Sequence, residues 1–290
     1  MHPAPSLILF TVLSGIGFGL LVWLGLGLRA PVGGAAFLLF GLGYGLAGAG
    51  LIAAAFHLGH PERALKAFTQ WRSSWLSREA VLATATMAIM SPHAASSVFA
   101  ATPLPVFGWL GAALALVTIF ATAMIYTQIK AVPRWHHWTT PPVFVLAALA
   151  GGAMLAAQIL LAHFLLLILA AAMVAHWVAG DKRFAQSGST TGTATGLAAL
   201  GQVRLLEPPH SGRNYLLREM VHVVGRKHAY KLRLIALVFG AFLPAVLLLL
   251  PASYVTIALA LFVHLAGMMA QRWLFFAEAE HVVGLYYSKR

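Results

Sequence analysis

The sequence has 290 residues, 60% of them hydrophobic and 9% charged, with a mean hydropathy of +0.84; an ordinary soluble domain, at roughly 25% charged residues, is excluded. Nineteen Lys and Arg against seven Asp and Glu give a formal net charge of +12, but they are interleaved with apolar runs, and no basic domain follows a phosphate backbone, so a nucleic-acid-binding protein is excluded as well. Cysteine is absent, which removes disulfides, thiolate zinc sites and cysteine-held iron–sulfur clusters from this chain.

The expected fold class is all-α: a polytopic membrane protein with eight transmembrane helices in a bundle. A span needs about 20 apolar residues. In chain order the candidates are 6–28, 33–57, 78–99, 105–129, 141–158, 162–180, 233–250 and 253–276. The opening MHPAPSLILF lacks a basic n-region and leads into an apolar run longer than a signal peptide's core, so it reads as a retained first span. Residues 141–180 form one apolar block about twice too long for a single crossing, so two short spans with a tight turn near Gln158 to His163 are expected. Glycines at 15, 17, 19, 41, 43, 45, 48 and 50, including the Gly41 to Gly45 GxxxG, read as helix-packing positions. Pro103, Pro105, Pro141, Pro142 and Pro251 fall at proposed helix starts, where a missing N–H costs little.

With eight spans, eighteen of the nineteen Lys and Arg and all seven acids fall on one side, leaving Arg29 opposite. The positive-inside rule then puts both termini in the cytoplasm. The chain divides into 1–180, six helices with an interfacial loop at 58–77; 181–232, a cytoplasmic linker and docking segment; and 233–290, the last two helices and a tail. The linker begins with the flexible composition SGSTTGTATG, and an amphipathic helix is expected over Asn214 to Tyr230. That segment touches either anionic lipid or a partner.

The densest polar cluster is FHLGHPERALKAFTQWRSSWLSRE, Phe56 to Glu79. Ionisable groups at the edge of a hydrocarbon core are costly and mark functional sites by default. His57 ends the second span. Ser77 is expected to cap the third, which puts Arg78 and Glu79 in its first turn, at a depth similar to His57. Between the two stretches Ala64, Leu65, Phe68 and Trp71 face lipid, with Arg63, Lys66 and Gln70 toward water. A histidine and a carboxylate bordering an apolar slot suit a quinone, which needs a partner at each carbonyl and groups that pass protons to water. By spacing alone the plainer reading is an interfacial histidine satisfied by backbone and a helix-start acid beside Arg78.

HLGHPERALKAFTQWRSSWLSRE resembles the signature of the membrane anchors of the dimethyl sulfoxide reductase (DmsC) family, with a broader likeness to NrfD-type quinone-interacting proteins. The resemblance extends through IYTQIKAVPRWHHWTTP and AGMMAQRWLFFAE. It implies an anchor in the bacterial inner membrane that binds ubiquinone or menaquinone. Its expected partners are an iron–sulfur subunit and a molybdopterin catalytic subunit, which hold the molybdopterin and the clusters. No residue of this chain is expected to be catalytic or to hold a metal. The resemblance places quinone contacts at His57 and Glu79, with Arg78 departing from the smaller polar residue often found there; Tyr126, Trp135 and Arg272 are weaker candidates. Docking is expected at Arg63, Lys66, Trp71, Arg72, Arg134, Arg213 and Arg218. GQVRLLEPPHSGRNYLLREM resembles the branch of the family that serves quinone-linked, cytoplasm-facing sulfite dehydrogenases. The alternatives are a quinol-oxidising reductase anchor, a haem b anchor using two of His163, His176 and His264, and a transporter.

Overall fold

The structure, a computed structural model, describes residues 1–207, 209–210, 212, 214–221 and 227–288; among them there are helices and turns and no strand. The main helices are α1 (Pro5–Gly25), α2 (Gly33–Ala55), α3 (Trp75–Ala95), α4 (Pro105–Thr127), α5 (Thr140–Leu155), α6 (Ile159–Gln186), α7 (Ala229–Leu247) and α8 (Tyr254–Ala277). Six of these, α1, α2, α4, α6, α7 and α8, are long and apolar enough to cross a membrane. The other two of the expected eight fall short for different reasons. α3 is 21 residues long but carries Arg78, Glu79, Thr84, Thr86, Ser91 and His93, and α5 is apolar but has 16 residues.

α1 is the central helix, packed against α2, α4 and α5 and touching α8. Its glycines make that possible. A Cβ at Gly17 would collide with the Ala47 backbone of α2, and one at Gly19 with the Ala148 carbonyl of α5. Gly43 and Gly50 complete the α1/α2 seam from the other side. The GxxxG reading is corrected here: Gly41 and Gly45 meet nothing within 4 Å, because they lie on the face of α2 turned away from α1.

Several boundaries differ from expectation. Ser74, rather than Ser77, caps α3 by accepting from the Ser77 N–H, so Glu79 sits in the second turn, about 4–5 Å farther into the helix than the first-turn reading implied. The α5–α6 turn comes earlier, at Ala156 to Gln158, where Ala157 adopts a left-handed φ of 54°. α6 runs past 180 to Gln186, since Asp181 and Arg183 find partners on neighbouring elements. The amphipathic helix expected over Asn214 to Tyr230 is instead a π-turn at Leu216–Met220 followed by a non-helical Val221; residues 222–226 lie outside the described part.

Hydrogen bonds identify the two ends of the bundle. At one end Arg29 donates to the Ala156 carbonyl and Gln158 to Leu28, joining the α1–α2 and α5–α6 connections. At the other the N-terminal ammonium donates to Ala279, Val282 to Ala131, and Arg233 to both Asp181 and Glu278. This second end gathers the charged loops.

Candidate functional site

Between α2 and α3, at the charged end, lies a cleft of about 230 Å³. Leu51, Ala54, Ala55 and Leu58 form one wall; Leu76, Glu79, Ala83 and Met87 form the other; Ala64, Ala67 and Phe68 of the 3₁₀ segment Pro61–Phe68 close its end. Ala64 and Phe68 therefore face the cleft, while Leu65 and Trp71 are exposed.

Glu79 is 3% exposed and is the one acid in the lining. The Thr122 hydroxyl of α4 donates to its Oε1 and also reaches the Thr118 carbonyl. A second hydroxyl pair, Thr86 with Thr118 at 3.0 Å, holds the same α3/α4 seam one level deeper. A buried carboxylate in hydrocarbon requires such a donor. Thr122 was not among the sequence candidates; its position four residues before Tyr126, on the same face of α4, is the signal that could have found it.

The other candidates separate into three groups. His57 lies in the turn after α2, between the lining residues Ala55 and Leu58, with its own side chain exposed. Arg78 is turned away from the cleft. Its guanidinium donates to the Trp71 and Arg72 carbonyls at 3.0 and 2.7 Å and lies over the Trp75 ring at 4.4 Å, fastening the interfacial loop to the start of α3.

Tyr126 is buried in an aromatic cluster with Trp135, Phe144, Phe275 and Phe276, at ring separations of 5.3 to 5.6 Å. Trp135 is buried too, its indole N–H donating to the Phe275 carbonyl, so it is a core residue and not part of an interfacial belt. Arg272 is 2% exposed, its guanidinium 3.5 Å from the Phe144 ring centroid, and one terminal nitrogen lacks a hydrogen-bond partner. Tyr126 lies within electrostatic reach of both Glu79 and Arg272. Neither it nor Arg272 lines the cleft.

Of the docking candidates, Arg63, Lys66, Trp71, Arg72 and Arg218 are exposed. Arg213 lies outside the described residues. Arg134 is instead committed inside the protein: it donates to Asp181 at 2.7 Å and faces Glu278 at 3.6 Å, while Arg233 bonds the same two acids. This four-residue ion network ties the α4–α5 loop to the ends of α6, α7 and α8. Beside it His137 bonds Thr139, which bonds His176. Burial and then the Arg183 and His136 charges hold His137 below its ordinary value of 6.5.

His163, His176 and His264 direct Nδ1 at three different partners, the Ala245 carbonyl, the Thr139 hydroxyl and the Gly240 carbonyl. Among the described residues no group of three or more His, Asp or Glu is arranged to hold a metal ion.

No solved structure matches this chain. The sequence is 33% identical over 330 aligned residues to a subunit of the sulfite dehydrogenase of Allochromatium vinosum, an alignment that covers 99% of this chain and 99% of that protein. Residues 1–179, which carry α1 to α5, most of α6 and the whole Glu79 cleft, match the family described as DMSO reductase anchor subunit (DmsC). The chain is a member of the DMSO reductase anchor subunit (DmsC) family.

Proposed function

We propose that this chain is an eight-span anchor of the bacterial inner membrane, with both termini cytoplasmic, that holds an iron–sulfur subunit and a molybdopterin catalytic subunit to the membrane and passes their electrons to quinone. α3 and α5 complete the eight: α3 lies along α4, and α5 is enclosed by α1, α4 and α6. The one-sided charge distribution supports this orientation. The likeness to a sulfite dehydrogenase subunit over nearly the whole chain favours sulfite oxidation as the electron source.

The observation that carries the quinone reading is the Glu79 cleft: an apolar slot between helices with a single buried carboxylate at its polar end. Quinone supplies two-electron chemistry when bound. The chain's own contribution is to bind the ring between Leu51, Leu76 and Phe68, to hold a proton at the Glu79 carboxyl, and to exchange it with cytoplasmic water at the mouth, where His57 is exposed. Thr122 fixes the carboxyl's orientation. The exposed Arg63, Lys66, Trp71 and Arg72 beside the mouth supply the docking face.

The test is sulfite-dependent reduction of a short-tail quinone by the purified complex. Glu79→Gln is expected to lower it by about 10²-fold, the usual worth of a positioned proton-transfer group, while the soluble subunits still reduce an artificial acceptor. Full activity in Glu79→Gln refutes the site; activity only with quinol and an S-oxide acceptor keeps the anchor and changes the substrate. The haem b alternative predicts a Soret band in the purified chain.

A further inference from the structure

The Glu79 cleft is one of two along the α2/α3 seam. Toward the opposite end of the bundle the same two helices and the turn after α3 border a second, open groove of about 320 Å³, lined by Phe37, Phe40, Gly41, Tyr44, Ser91 and Phe99 among others. Both lie along the same face of α2. On α2 the lining residues fall on one stripe, Gly41, Tyr44, Leu51 and Ala55, and Gly48 completes its three-and-four spacing. A Cβ at Gly48 would meet nothing within 4 Å, so the waist between the clefts is open there. The side-chain hydrogen bonds across the waist come from Tyr44, whose hydroxyl donates to the Met87 carbonyl at 2.8 Å and meets Ser91 Oγ at 3.1 Å. From Glu79 to Phe99 the helix rise gives a crevice of about 30 Å, comparable to the thickness of a hydrocarbon core.

The occupant follows from the lining. One end presents a buried carboxylate, and among the described residues no Lys or Arg lines either cleft, so a phosphate seated inside the cleft would meet the Glu79 carboxylate with no cation in the lining to offset it. A molecule with a small uncharged polar head and a long hydrocarbon tail fits both ends. We infer that the α2/α3 crevice carries the isoprenoid tail of a lipid quinone, running from the Glu79 cleft past Gly48 and Tyr44 to the Phe99 end. This inference rests on the quinone reading above.

Binding to the chain in phosphatidylcholine nanodiscs tests it, with a one-isoprene and an eight-isoprene ubiquinone as probes. Gly48→Leu fills open space, so its fold is kept. It is expected to weaken the eight-isoprene probe by about tenfold, the size of an overpacking penalty, and to leave the one-isoprene probe within about twofold, as for a surface change. Gly41→Leu, in the second cleft, is expected to behave the same way. Glu79→Gln is expected to weaken both probes equally. If Glu79→Gln weakens both and the two Leu variants weaken neither, the head site stands and the tail track is overturned. If Gly48→Leu leaves the long probe unchanged but loses co-purified phospholipid, the occupant is bilayer lipid and the inference fails. Failure of the wild type to bind either probe overturns the quinone reading and the track together.

Discussion

Glu278→Gln is expected to be the most destabilising single change at the charged end. Its side chain is 4% exposed and faces Arg233, 23% exposed, at 2.7 Å and Arg134, 13% exposed, at 3.6 Å. Removing its charge leaves the two largely buried guanidinium groups sharing Asp181, whose side chain is 46% exposed. Breaking a buried pair from one side costs about 3–5 kcal/mol because the abandoned charge keeps its desolvation penalty. Asp181→Asn removes a carboxylate that water already screens, and about 1 kcal/mol is expected. The double change Glu278→Gln with Arg134→Gln removes one stranded charge and is expected to cost less than the two single changes together. Reversible unfolding of the purified chain in mixed detergent micelles measures these variants and the single change Arg134→Gln. An Asp181→Asn cost equal to or above that of Glu278→Gln, or strict additivity in the double variant, would refute burial as the deciding factor.

Other outcomes follow from local geometry. Ala157 holds φ at 54°, a conformation that costs a non-glycine residue about 1–2 kcal/mol; Ala157→Gly is expected to raise stability by about 0.5–1 kcal/mol in the same unfolding assay. Gly19→Ala drives a methyl into the Ala148 carbonyl and is expected to cost about 1–3 kcal/mol, whereas Gly41→Ala enters open space and should leave the midpoint unchanged or slightly raised. His137 binds its proton less readily folded than unfolded, so the unfolded chain takes up more protons once the pH falls below 6.5. Stability of the 128–139 loop is therefore full above pH 6.5 and declines as pH drops from there toward the folded value; amide exchange in that loop reads it, and His137→Gln should flatten the dependence.

The sequence signals that worked were those the bilayer enforces. Apolar length located eight helices, of which six are long and apolar enough to cross a membrane, and placed their ends to within about four residues except at α6, which runs on to Gln186. The signals that failed were those decided by tertiary partners. Arg134 looked like a free docking cation because nothing local reveals that Asp181 and Glu278, distant in sequence, arrive beside it. Arg78, next to Glu79, looked like a member of the same site, yet adjacent helical residues point in different directions, and its guanidinium turns back to the Trp71 and Arg72 carbonyls. Gly41 to Gly45 looked like a packing motif because a GxxxG reports only that a face is smooth; whether a helix or a slender ligand uses that face is settled by where the neighbours go.

α2 is drawn tightly onto α1 by Gly17, Gly43 and Gly50, and α3 onto α4 by the Thr86–Thr118 and Glu79–Thr122 bonds. Each helix of the pair is thus committed to a partner on its other side, and between them the side-chain hydrogen bonds are those of Tyr44. Apolar clefts between α2 and α3 are the consequence. The α3/α4 seam buries Glu79, while Arg78, bonded to the Trp71 and Arg72 carbonyls, ties the interfacial loop to the start of α3. Weakening the α1/α2 seam, for example with Gly50→Ala against the Ser14 backbone, would shift α2 and change the crevice's width without touching any residue that lines it. Such a variant should lose quinone reduction with Glu79 and Thr122 intact, and unimpaired turnover in it would mean that the crevice's width is irrelevant to the reaction.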